Sequence, residues 1–283
     1  MTGPRWAASR RRGNAVANGF LVIALAGFLI PVAWTAAASF GVVPRGTRPP
    51  AFIWPPSLDH FGEVGVAEPN FWQELATSTG VSLAATLLTV AIAVLGAYGI
   101  ARSRFRGKRY VVQGLLVLAS LPVMAYAIPL SDVIRKFGLA DTYPGLVLGV
   151  SAVTAPLAVY VLHGHLSQLS TEWEEAAWID GAGLAQVLAS VVVPMIAPAV
   201  AATAIIVFVL DWNMLLVPLV LAGVEIRTLP VAMVDFFTFE RELDWPTAAA
   251  ALIISLLPLT ILVAFGHRLL DQFTLAPRES RLR

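Results

Sequence analysis

Long apolar runs separated by short polar breaks organise the chain. Six are long enough to cross a bilayer core, which takes about 20 residues of helix. They predict helices over about residues 15–40, 75–101, 110–130, 142–162, 194–222 and 245–266. Asp211 is the one acid inside a predicted span. Pro122, Pro129, Pro156, Pro218 and Pro258 interrupt the runs. Bundled membrane helices tolerate this because neighbours satisfy the freed backbone groups. Small residues such as Gly96, Ala97 and Ala248–Ala251 allow close helix approach. The first run follows Arg10, Arg11 and Arg12, lacks a small-x-small cleavage site, and is expected to stay as an uncleaved helix.

The pattern changes between the fourth and fifth runs. In residues 163–193, Leu166, Leu169, Trp173, Ala176 and Ala177 recur at helical spacing and predict a short helix with one apolar face. Thr171 followed by Glu174 fits a capping box. Gly181 stands where a left-handed residue would end the helix. A second short helix carries Leu184, Val187, Leu188, Val191 and Val192 on one side and closes at Pro194. The expected fold is an all-α integral membrane protein: six transmembrane helices with a two-helix loop between the fourth and fifth. It forms one membrane domain over residues 15–270, with tails at 1–14 and 271–283. The remaining breaks are read as short connections. Gly41–Glu74 is expected to be irregular, and DFFTFERELD near residue 240 fits a short amphipathic helix.

Composition agrees with a membrane protein. Hydrophobic residues make up 58% of the chain and charged ones 13%, against about 25% charged in soluble domains. There is no cysteine, which excludes disulfides and thiol ligands. A net charge of +1 gives no reason to expect nucleic acid. The basic residues set the orientation. With the N-terminus inside, 13 of the 19 fall in inside segments, and the ARSRFRGKR turn alone holds five of them. The positive-inside bias thus places both termini, and the 163–193 loop, in the cytoplasm.

That loop has no Lys or Arg, yet carries Glu172, Glu174, Glu175 and Asp180. Helices lying on lipid normally present cations to the anionic leaflet, so an acidic face points to a protein partner. Here a resemblance enters. Glu175-Ala176-Ala177, then Gly181 in Asp180-Gly181-Ala182, then Val191, Val193 and Pro194 resemble the EAA loop of bacterial ABC-importer permeases. GLADTYPGLVL at Gly138–Leu148 and DWNMLLVPLVL at Asp211–Leu221 are similar to segments of carbohydrate-uptake permeases of the type of the smaller maltose-importer membrane subunit. The chain departs from that pattern at Met214, where an Asp is common, and at Leu188, where an aromatic is common.

The resemblance implies a transport subunit with no catalytic site or cofactor of its own. Its expected partners are a second permease subunit in a heterodimer, two cytoplasmic ATPases that bind ATP and Mg, an extracellular or periplasmic solute-binding protein, and membrane lipid. Glu174, Glu175, Ala176, Ala177, Asp180, Gly181, Ala182 and Pro194 would form the ATPase-coupling element. Energy must come from another polypeptide, because this sequence has no G-x-x-x-x-G-K-[ST] phosphate loop. Asp211, Trp212, Asn213 and Met214 are the candidates for the translocation path, since an acid within a membrane usually faces a cavity or a partner. The indole of Trp212 could stack on a sugar ring; interhelical hydrogen bonding is the plainer use of the same residues. Alternatives are the same architecture for a polyol, glycerol-phosphate or amino-sugar derivative, or a secondary transporter using Asp211. The last would call for inverted repeats and paired intramembrane charges, which the sequence lacks. His163 and His165 lack a neighbouring acid to complete a metal site.

Overall fold

The computed structural model describes residues 5–41, 56–67, 69–223, 226–236 and 245–274. No strand occurs among the described residues. The helices are α1 (Arg5–Ser39), α2 (Asp59–Ala67), α3 (Phe71–Arg102), α4 (Lys108–Ser120), α5 (Ala127–Lys136), α6 (Tyr143–Leu166) and α7 (Glu172–Ile179). They continue as α8 (Leu184–Met195), α9 (Ala197–Trp212), α10 (Leu216–Leu221), α11 (Leu229–Phe236) and α12 (Trp245–Thr274). Among the described residues, four helical stretches are long and apolar enough to cross a membrane: Asn18–Ser39, Phe71–Arg102, Tyr143–Leu166 and Trp245–Gly266. The pair α8 and α9 passes the same test but bends by 81°.

Two expected spans are broken rather than continuous. The third run is α4, a single 3-10 turn at Val123–Ala125, and α5. Pro122 explains the break: it offers no N–H and pushes Leu121 into an extended conformation, φ −70° and ψ 136°. Pro129 is harmless because it falls in the first turn of α5. The fifth run starts at a sharp corner, Ile196, with φ −101° and ψ 10°. It breaks again at Asn213, before α10. The Gly41–Glu74 segment, expected to be irregular, contains the helix α2. Most of DFFTFERELD lies outside the described residues.

Backbone contacts divide the chain into two compact units. The first contains residues 1–69 and 239–256. In it Ala38 packs on Ala249, Phe40 meets Phe61 at 5.7 Å, and Thr247 donates to Glu63. The second contains residues 70–238 and 257–283 and holds both candidate sites. Its spine is α3 against α6. Ser151 donates to the carbonyl of Ala85, Thr89 meets Thr154, and a Cβ on Gly96 would lie 3.5 Å from Val159. Both residue numbers rise together, so these two helices run parallel. Helix α9 runs antiparallel to α3 beside them, with Thr86 bonded to Asp211.

Two apolar clusters fill this unit. One joins Ala97 and Tyr98 of α3, Leu162 and Leu166 of α6, and Val187 and Val192 of α8. The other joins Val81, Ile134, Leu146, Val150, Val217 and Leu221 at the opposite end. There Gly149 lets α5 and α10 approach α6, since a Cβ would fall 2.8 Å from Leu221 and 3.0 Å from Val217. The turn between α5 and α6 is clamped to the end of α10. Asp141, at φ 51°, takes the backbone N–H of Gly223 at 2.7 Å and of Ile226 at 3.4 Å, and donates its own N–H to Leu221.

Candidate functional site: an acidic hairpin and a polar step in the bundle

Helices α7 and α8 form a hairpin at one end of the unit. Its turn is set by Gly181, whose φ is +82°. The N–H of Gly181 reaches Trp178 and the N–H of Ala182 reaches Ala177, both at 3.0 Å. This is the paired 5→2 and 6→1 pattern that ends a helix on a left-handed glycine, as the sequence predicted. The capping box is not formed. Thr171 has helical dihedrals, and its hydroxyl donates instead to Glu175 at 2.8 Å. Glu174 cannot reach back to Thr171, because its carboxylate is drawn inward.

Glu174 is only 3% exposed. Its Oε1 takes the Nε of Arg102 at 2.9 Å and the Nη2 at 2.6 Å, and its Oε2 takes the hydroxyl of Tyr98 at 3.1 Å. Arg102 also reaches the carbonyl of Leu169 at 3.5 Å. Helix α8 is held differently, by Val187 and Val192 in the apolar cluster. Its middle, Leu188–Val192, is widened to a π-turn just before Pro194. Such bulges absorb the disruption of a proline and recur at functional sites.

The predicted apolar face is split: Leu166 is buried and Leu169 and Ala177 pack against the same cluster, while Trp173 and Ala176 face outward. Trp173 is 65% exposed, and Trp178, Ile179 and Leu184 are exposed with it. Glu172, Glu175, Ala176, Asp180 and Gly181 share this outer surface, while Ala177 and Ala182 are half-buried. Pro194 is exposed at the end of α8. Of the eight residues expected to act in coupling, Glu174 alone is buried.

The second cluster lies inside the bundle. Asp211 is 4% exposed and accepts a hydrogen bond from Thr86 at 3.1 Å through Oδ2. Its Oδ1 has no hydrogen-bond partner among the described residues. Trp212 does not present its ring to a ligand: it is buried and stacks on Phe208 at 5.9 Å. Asn213 and Met214 do face open space. With Tyr126, Thr154 and Leu210 they line a cavity of about 500 Å³. Asn213 also donates to the carbonyl of Val209 at 2.7 Å, which caps the end of α9. Sequence reasoning missed Tyr98, Arg102, Thr86 and Thr154. Their signal is faint: hydroxyls and one cation at turn spacing on otherwise apolar helices.

Residues 90–275 match the model of the family described as binding-protein-dependent transport system inner membrane component. The trehalose transport system permease protein SugB of Mycobacterium tuberculosis (strain CDC 1551 / Oshkosh) is 32% identical over 251 residues, 87% of this chain and 90% of that protein. The trehalose/maltose transport system permease protein MalG of Thermococcus litoralis is 31% identical over 237 residues, 83% of this chain and 85% of that protein. Among solved structures, a chain of a bacterial ABC transporter involved in the import of the acidic polysaccharide alginate superposes with a TM-score of 0.73. The match covers 95% of this chain and 99% of that one at 21% identity, and so concerns the fold.

Proposed function

Because the chain belongs to the family of binding-protein-dependent transport system inner membrane components, we propose that it is the permease subunit of an ATP-driven importer for a sugar or sugar derivative. It works in the bacterial inner membrane beside a second permease subunit, with two ATPases inside and a solute-binding protein outside. ATP and Mg are bound by the ATPases. The broken α4–α5 and α9–α10 segments count as the third and fifth of six crossings. The arginine distribution supports a cytoplasmic location for both termini and the hairpin.

The observation that carries this reading is the outer surface of the hairpin. Exposed Trp173, Trp178 and Ile179 sit among Glu172, Glu175 and Asp180 with no cation in the loop. A lipid surface would repel that face; a cleft in an ATPase would bury it. Closure of two ATPases would bring two such hairpins together, and rigid-body movement of the attached helices would expose the solute path to alternate sides. The path itself passes the cavity lined by Asn213 and Met214, with Asp211 behind it. Sugar as the solute class is supported by the relatives named for trehalose and maltose.

The test is to co-purify the ATPase with Glu175→Lys and Ile179→Asp variants in membranes. Both are expected to lose ATPase association and uptake while the helices still insert. Wild-type association and uptake in both variants would overturn the reading.

A further inference from the structure

Helix α7 is tied to the bundle by a single buried side chain. Its neighbours on that helix are exposed or short, and Ala177 is only half-buried. Helix α8, in contrast, is seated by valines. Apolar contacts are non-directional and can slide. A guanidinium forked onto a carboxylate holds one geometry.

We propose that the Glu174–Arg102 pair is the joint that passes movement of the hairpin to α3, so that its loss separates ATP hydrolysis from transport. The inference rests on the docking role of the hairpin given above. Two observations carry it. Arg102 grips both α7, through Glu174, and the preceding turn, through the Leu169 carbonyl. Tyr98, one turn back on α3, holds the second carboxylate oxygen. Both partners therefore belong to one rod.

That rod is unusually plain. Helix α3 runs 32 residues without a proline, whereas α6 and α12 each carry one in their interior, Pro156 and Pro258, and the third and fifth runs are broken. Thr86 lies sixteen residues from Arg102 on α3, about 24 Å at the rise of an α-helix. Its hydroxyl meets Asp211 beside the cavity that Asn213 and Thr154 line. A displacement at the joint is thus delivered at the polar step in the bundle. Stability alone does not call for an ion pair here, because well-packed apolar residues serve as well as a buried pair or better. Directional coupling does call for one. Glu174, Arg102 and Tyr98 are positioning residues in this scheme.

The test uses the assembled complex in proteoliposomes and compares ATP hydrolysed with solute imported. Glu174→Gln and Arg102→Gln are expected to keep ATPase association and hydrolysis while uptake per ATP falls well below wild type. The decisive variant is the apolar pair Arg102→Leu with Glu174→Leu, which keeps the packing and removes the joint. It is expected to assemble and remain uncoupled, even if the single variants insert poorly. Wild-type uptake per ATP in the apolar pair would overturn the proposal. Failure of the docking reading shows elsewhere, as Glu175→Lys retaining the ATPase.

Discussion

Gly181 offers a way to perturb the hairpin through its backbone alone. Its φ of +82° belongs to the left-handed region, and a Cβ built there meets no atom within 4 Å. A substitution therefore clashes with nothing and costs only backbone strain. For an L-residue that strain is roughly 1–2 kcal/mol, less for Asn, which visits this region readily. The strain is local, because α7 and α8 are each held independently, by Glu174 and by Val187 with Val192. The turn opens before the bundle does. One to two kcal/mol corresponds to roughly a 5–30-fold shift in the population of the correct turn. The apparent affinity for the ATPase falls by up to the same factor if only that turn binds. The assay is titration of the ATPase subunit onto reconstituted permease carrying Gly181→Asn, Gly181→Ala or Gly181→Val. Affinity is expected to fall in that order from wild type, with little change in the thermal midpoint of the permease. Binding by Gly181→Asn as weak as by Gly181→Val, or no loss in any variant, would refute the claim that the ATPase reads this turn.

Two further outcomes follow from the same geometry. Asp141→Ala removes the acceptor for the Gly223 and Ile226 amides and is expected to destabilise the fold by about 1.5–3 kcal/mol, as for hydrogen bonds to a charged group; Asp141→Asn should retain most of it, read as thermal unfolding in detergent. Asp211→Val removes a buried carboxylate with an unpartnered oxygen and is expected to raise that thermal midpoint, in line with a penalty of about 3 kcal/mol for an acid in the membrane, while lowering uptake. A fall in both stability and uptake would assign Asp211 to packing instead.

Hydropathy located the apolar runs well because a bilayer demands length and apolarity and little else. The outer limits of α3, α6 and the sixth run follow the expected spans within about four residues. It failed inside the runs. Pro122 sits in a stretch as apolar as its neighbours, so window averages pass over it, yet its missing N–H ends α4 outright. Asn213 breaks the fifth run with a side chain that bonds its own helix end, a signal of one residue among many aliphatic ones. Trp212 was chosen for chemistry its ring could do in the open, but Phe208, one turn back, already occupies its face. Spacing shows which residues share a helix face; it does not tell a ring packed on its own helix from one offered to a ligand.

The hairpin sharpens that limit. Period 3.6 grouped Trp173 with Ala176 and Ala177, yet Ala177 packs on the core while Trp173 and Ala176 face outward, so spacing did not settle which side faces inward. In a soluble helix the apolar side is inside by default. Here Trp173 looks outward and Glu174, one position on, looks in. The inversion is possible because Arg102 stands at the end of α3, where a cation also suits the helix dipole, and its fork neutralises the carboxylate that the fold buries. Once the inner side is fixed by charge, the apolar side is released for a partner. Two adjacent glutamates that look equivalent in sequence then take opposite positions: Glu175 on the outer face, Glu174 on the face that holds the hairpin to α3.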